Sequence, residues 1–446
     1  MDAPVNLKRN SLLCFGLMLS TQAASAQTNA PVPYLPTLPT MTAPAAPSGP
    51  SPYLQYAPPA TTSQAAPAPD APEAAPEEAP AEDKFFLQKL LETSPAGQTL
   101  ASNGWKINGW TQGSYSTGSA RRSNLPVPFI DRARDFSLNQ NWLHIEKTID
   151  TTKVERQIGG AVDLILPGTD YRLTLSRGLL TDQRDVRGNI YGFDLFQAYA
   201  DVFLPNLGSQ GTTVRAGKFA TLIGYEVVQG LYNPFISRSY LFQYNPFTHT
   251  GAYAITPLNE NLTMSNGIVL GNDNFFNDAM RPTYIGQLKW APKDGKTTVA
   301  FSTTITDPTF DVNRNFAYYN AYNLLITHKF TDKFNYVADM TYSHMGNNPG
   351  VGFANWYGLA NYFLYDMTDK IQTKLRAEVF NDAQGVRTGA NGLYTAVTGG
   401  VTWKPTPWLY IMPEVRYDHN SGNSTPGPFE GRRDLFTATI GGIVRW

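Results

Sequence analysis

The sequence predicts an all-β chain: a closed, antiparallel transmembrane β-barrel of about sixteen strands behind a Pro/Ala-rich, disordered N-terminal tether. Three observations lead there. Apolar and polar residues alternate with period two from Trp105 to the C-terminus, in segments near the 9 to 11 residues (roughly) that cross a hydrocarbon core when tilted. Long and short connections alternate between those segments. Finally, only 16% of residues are charged against 13% aromatic, with 37 Gly and 33 Pro, which argues against a helical bundle. Past the first twenty residues no apolar run approaches the roughly 18 residues a spanning helix needs. Helical membrane spans are excluded.

Residues 1–26 read as an export signal, because Lys8 and Arg9 precede the apolar stretch Leu12 to Leu19 and Ala24-Ser25-Ala26 supplies a small-x-small cleavage site. Gln27 then becomes the first mature residue. The single Cys14 lies inside the signal, so disulfides, thiol catalysis and cysteine metal sites are excluded. Residues 27–83 hold 15 of the prolines and six acids with no Lys or Arg, the composition of an extended, solvated linker. From Lys84 onward 33 basic and 29 acidic residues leave a net charge of +4, too slight and scattered for nucleic acid.

Residues 84–104 hold a short amphipathic helix and a lead-in. Phe85, Phe86, Leu87, Leu90 and Leu91 recur at helical spacing, and Ser94-Pro95-Ala96-Gly97 reads as its stop. Such a helix can sit in a barrel mouth, on the inner membrane surface or against a neighbouring subunit, though packing on the rest of its own chain is the commoner fate at this length.

Residues 105–446 form the barrel. Strand starts fall near Trp105, Phe136, Ile158, Phe193, Thr212, Phe247, Leu262, Thr283, Thr297, Asn320, Phe334, Ala354, Lys370, Leu393, Trp408 and Leu435. Phe436, Ala438, Ile440, Gly442, Val444 and Trp446 make the lipid-facing row of the last strand, opposite Thr437, Thr439, Gly441 and Arg445. Short turns such as Pro257-Leu258-Asn259-Glu260 alternate with long gaps such as Pro167 to Gly192 and Ile223 to Pro246, the asymmetry of outer-membrane barrels. Tyr171 to Ser176 alternates like an extra strand, so 14 or 18 strands also fit. Closure follows from the lipid, where an open edge would leave backbone groups unsatisfied.

The runs Tyr191-Gly192-Phe193-Asp194-Leu195-Phe196-Gln197-Ala198-Tyr199-Ala200-Asp201, Val214-Arg215-Ala216-Gly217-Lys218-Phe219 and Asn233-Pro234-Phe235-Ile236-Ser237-Arg238-Ser239 resemble the OmpL-like outer-membrane β-barrel porins of Gram-negative bacteria. The resemblance spans about Phe136 to Trp446 and implies an outer-membrane porin with no carried-over catalytic or substrate residues. The terminal row Phe436, Val444 and Trp446 resembles the signal read by the barrel-assembly machinery.

No catalytic, cofactor or metal site is expected. His144, His249, His328, His344 and His419 are scattered; His144 and Glu146 form at most half a metal site and read better as a lumen-facing pair. An enzyme, such as a barrel-embedded Ser-His hydrolase, has no supporting motif. A pore needs a polar wall and a constriction. Arg215, Lys374, Arg376, Glu378, Glu414, Arg416 and Arg445 are the wall candidates, either lining water or stiffening the wall as ion pairs. The loop from Ile223 to Pro246 is too aromatic to stay solvated and is expected to fold inward, with Glu226, Arg238 and Tyr240 at the constriction, or else to cap the barrel or meet another subunit. Asp182 to Arg187 carries both signs and sets no ion preference. The expected function is passive diffusion of small hydrophilic solutes. The competitors are a substrate-specific channel, a non-conducting structural or adhesive barrel, and a sheath for an electron carrier. Expected partners are outer-membrane lipid and lipopolysaccharide, the assembly machinery, the solutes and, as an open alternative, further copies of the chain.

Overall fold

The computed structural model describes residues 85–151, 153–179, 189–276, 280–307, 318–348 and 350–446. The expected signal peptide, the tether and the loop from Asp182 to Arg187 lie outside the described residues.

Helices α1 (Phe86–Glu92) and α2 (Pro95–Ser102) lead into sixteen strands. These are β1 (Trp105–Gly118), β2 (Asp135–Lys147), β3 (Gln157–Gly168), β4 (Gly192–Leu204), β5 (Thr212–Ala220), β6 (Thr248–Pro257), β7 (Leu262–Val269) and β8 (Thr283–Trp290). They continue as β9 (Thr297–Thr306), β10 (Tyr318–Lys329), β11 (Phe334–Asn348), β12 (Gly352–Thr368), β13 (Ile371–Asp382), β14 (Gly392–Thr406), β15 (Leu409–Asn420) and β16 (Asp434–Arg445). Every neighbouring pair is antiparallel, and β16 closes on β1 from Trp110 opposite Arg445 to Gly118 opposite Thr437. All sixteen expected starts fall within two residues of these bounds.

The ambiguity at Tyr171 resolves as a single helical turn, α3 (Tyr171–Thr174). Its buried residues Tyr171 and Thr174 are three apart, a helical spacing that six residues of sequence cannot separate from alternation. The reading of Ser94-Pro95 as a stop is corrected. Ser94 Oγ accepts a hydrogen bond from Gly97 N at 3.0 Å and Pro95 occupies the first helical position, so the pair starts α2. The two helices pack against β1, and the Arg445 guanidinium lies 3.9 Å from the centre of the Phe85 ring.

In β13, Leu375 and Val379 are exposed while Lys374, Arg376, Glu378 and Phe380 are buried. The outward face is therefore apolar and the inward face carries the charge, the inverse of a water-soluble sandwich. Connections are mostly long at one rim and short at the other, the exceptions at the long-loop rim being those between β11 and β12 and, at nine residues, between β13 and β14.

At the closing seam Trp446 extends the outward row of Phe436, Ile440 and Val444, all exposed. Its amide donates to Gly109 O at 2.9 Å, and its indole donates to Thr111 Oγ1 at 3.0 Å. The ring covers Gly109, where a Cβ would collide with it, so glycine is what lets the indole lie flat on the seam. Replacing Trp446 with Asp is expected to deplete the heat-modifiable folded band on a gel far more than Arg445→Gln, because only the former puts a charge in the lipid-facing row. Equal bands would show that the outward row carries no such weight.

Candidate functional site

Residues 221–247, between β5 and β6, run through the barrel interior. Thr221 N donates to Phe247 O at 3.1 Å, so both ends share one stem at the wall. Phe235, Ile236, Tyr240, Leu241, Phe242 and Tyr244 are all at most 4% exposed, and a second short helical turn, α4 (Tyr240–Gln243), is capped by the Ser239 hydroxyl, which accepts from Phe242 N. Burying such a segment removes apolar surface from water, but it also strands main-chain amides unless something accepts from them.

The barrel wall supplies those acceptors from β2 on one side and from β10, β11, β13 and β15 on the other. Gln140 on β2 accepts from Gly230 N at 3.0 Å and donates to Val228 O at 2.6 Å. Asn323 on β10 accepts from Gly224 N at 3.1 Å, and Asp339 on β11 accepts from Tyr225 N at 2.9 Å. Glu378 on β13 accepts from Tyr240 N at 2.7 Å, and Glu414 on β15 takes both Ile236 N and Ser237 N, at 2.7 and 2.9 Å. The inserted segment is thus a bar fixed to distant strands.

An ion network locks it. Arg376 Nη1 meets Glu226 Oε1 of the segment at 2.8 Å, and its Nε is 3.1 Å from Glu378 Oε1. Arg416 lies 3.3 Å from Glu378 and 2.6 Å from Asp418, and donates to Arg238 O at 2.7 Å. Tyr240 donates its hydroxyl to Asp418 at 2.8 Å, with the Arg416 guanidinium 5.0 Å from its ring. Arg238 donates to the carbonyls of Val227, Phe235 and Ile236. Lys374 donates to Pro234 O and sits 5.0 Å from the Phe235 ring. Glu226, Glu378, Glu414 and Asp418 balance Arg238, Lys374, Arg376 and Arg416, which is how so many charges tolerate burial together.

The wall candidates therefore divide. Lys374, Arg376, Glu378, Glu414 and Arg416 face inward in the expected phase but are at most 5% exposed, because residues 221–247 cover them. Glu226, Arg238 and Tyr240 are likewise at most 1% exposed. Of the two roles expected for the wall residues, these five show the second, ion pairs and hydrogen bonds rather than a water-facing surface, and Glu226, Arg238 and Tyr240 share that buried network instead of presenting themselves to water. Arg215 and Arg445 keep partial exposure. Arg215 pairs bidentately with Asp201, both contacts at 2.8 Å, and stacks 3.7 Å above the Tyr199 ring. His144 sits between two carboxylates, with Nδ1 2.5 Å from Asp163 and Nε2 3.5 Å from Glu146, so each ring nitrogen has a carboxylate beside it. Among the described residues no His, Cys, Asp and Glu cluster is arranged to hold a metal.

Sequence reasoning missed Asp418, although it shares the period-two face of Glu414 and Arg416. It also missed Gln140, Asn323 and Asp339, which look like ordinary strand polars until a loop amide arrives. Residues 119–134 hold a second inward cluster, where Phe129 packs 5.3 Å from Phe242. Their two Pro residues and modest length gave no sign of it.

A closed sixteen-strand barrel with an apolar exterior, a charged interior and a chain segment anchored across it is the architecture of a β-barrel porin. The chain belongs to the family described as "Putative beta-barrel porin-2, OmpL-like", whose model matches residues 104–445. Its place is accordingly among the outer-membrane β-barrels. The fold is similar to that of an anion-selective porin from Comamonas acidovorans, at TM-score 0.51 and 10% identity over 77% of this chain and 99% of that one. It is also similar to Pseudomonas putida OprB in a high-pH structure, at TM-score 0.50 and 11% identity over 79% and 96%. At such identity the likeness is one of fold alone. No curated protein sequence matches the chain.

Proposed function

We propose that the protein is an outer-membrane channel for passive diffusion of small hydrophilic solutes, narrowed by residues 221–247. The observation that supports this most is the anchored bar itself. A closed sheet of about sixteen strands encloses a lumen wide enough for water, so any discrimination must come from what projects into it. The fully locked attachment of that bar to β2, β10, β11, β13 and β15 favours a selective passage over a broad one, which keeps a substrate-specific channel as the second reading. Single-channel recording of purified protein in a planar bilayer tests both. Stable unitary steps are expected; a binding site for one solute would add saturable blockade, and a protein that inserts without conducting would leave the structural, adhesive or carrier-sheath readings instead.

The same reading assigns residues 1–26 to a removed export signal and residues 27–83 to a periplasmic tether, with Phe436, Val444 and Trp446 recognised during assembly. N-terminal sequencing of membrane-extracted protein is expected to begin at Gln27. Retention of Lys8 and Arg9 would contradict it.

A further inference from the structure

The two rims use different cations. In the connections of the long-loop rim every basic residue is an arginine, whereas in those of the short-turn rim every one except Arg156 is a lysine. Simple attraction to an anionic surface would accept either residue, so the segregation calls for something that only guanidinium provides. Five of these arginines concentrate where the barrel closes: Arg121, Arg122 and Arg134 beside β1 and β2, and Arg432 and Arg433 ahead of β16, all exposed. The two connections that carry them are latched together. The Glu430 carboxylate accepts from the amides of Arg121, Arg122 and Ser123 at 2.8, 2.7 and 2.9 Å, and Arg432 donates to Ser119 O at 2.6 Å. Nearby acids are already engaged: Glu430 by those amides and, at 3.8 Å, by Arg432 itself, Asp131 by Arg172, Asp135 by Arg132, and Asp434 by Tyr417 and His419, so that Arg121, Arg122, Arg134 and Arg433 carry most of the cluster's uncompensated charge. Directly below, Tyr115, Phe136, Tyr417 and Phe436 are exposed on β1, β2, β15 and β16, an aromatic band at the depth of a lipid headgroup.

We propose that this arginine cluster binds the phosphate groups of an outer-leaflet glycolipid. Guanidinium forks match phosphate oxygens bidentately, and the cluster stands on the lipid-water boundary with its own carboxylates spent. The inference rests on the outer-membrane reading, with the long-loop rim outside.

The test compares refolded wild-type protein with two quadruple variants at Arg121, Arg122, Arg432 and Arg433, one all Gln and one all Lys, each checked for folding by its heat-modifiable band. The probes are vesicles containing doubly phosphorylated lipid A, vesicles containing the same lipid with its phosphates removed, and inorganic phosphate as competitor. Wild type is expected to retain the phosphorylated lipid at least about tenfold better than the Gln variant does, and to show the same preference over the dephosphorylated lipid, with the Lys variant between. Millimolar inorganic phosphate should not displace it. Undiminished binding by the Gln variant, equal binding of the dephosphorylated lipid, a Lys variant equal to wild type, or full displacement by inorganic phosphate would each overturn the proposal. Conductance measured on the same preparations separates the failures, since the Gln variant should conduct like wild type whether or not it holds the lipid.

Discussion

Replacing residues 224–244 with a short Gly-Ser turn is expected to raise single-channel conductance at least about twofold and to weaken discrimination between solutes, because a sheet of sixteen strands without its bar encloses a lumen wider than most small solutes. The change removes the donors that engage Gln140, Asn323, Asp339, Glu378 and Glu414. Those wall groups then face water, which solvates them and keeps the barrel foldable. The readout is the unitary conductance of variant that shows the folded, heat-modifiable band. A folded variant that conducts like its parent would mean that the passage is narrowed elsewhere, for which residues 119–134 are the next candidate.

The second large effect belongs to Arg376. Its replacement by Met leaves Glu226 and Glu378 buried beside each other with their shared counter-charge gone, and breaking a buried pair in this way costs about 3 to 5 kcal/mol. Urea unfolding in micelles is expected to shift to markedly lower concentration, and the channel to flicker between conductance levels as the bar detaches. Adding Glu226→Gln should recover much of the lost stability, since the double variant no longer buries an unpaired carboxylate there. A single variant as stable and as quiet as wild type, or a double variant worse than the sum of the two singles, would show that the network is not what holds the bar.

The strands were legible because lipid imposes a harsh rule on sequence. A residue such as Val379 or Ile440 that meets hydrocarbon must be apolar and its neighbour need not be, so the phase of β13 and β16 can be read from their composition. The aromatic content of residues 223–246 likewise pointed to packing, since Phe235, Tyr240 and Phe242 have no use in a solvated loop. What could not be read was the consequence for the wall. Whether Arg376 and Arg416 meet water or protein depends on where a segment more than a hundred residues earlier lies, a long-range decision that leaves no local mark. The helix start at Ser94 was missed for a different reason: Ser-Pro marks an N-terminus when an acceptor and a bare first turn follow, and a turn otherwise, and only the capped amide of Gly97 distinguishes them.

The seam under Trp446 also sets what closing the ring costs. Thr111 and Trp446 are 335 positions apart, and drawing two such ends together costs about 5 kcal/mol of chain entropy by the logarithmic law for flexible loops. That cost belongs to the one pairing that joins the first strand to the last. Until it is met, β1 and β16 are both free edges, each with a row of main-chain groups that hydrocarbon cannot satisfy. A barrel lacking one strand is therefore not a slightly weaker barrel but an unclosed sheet, and the β1–β16 pairing that Trp446 covers is what ends that condition.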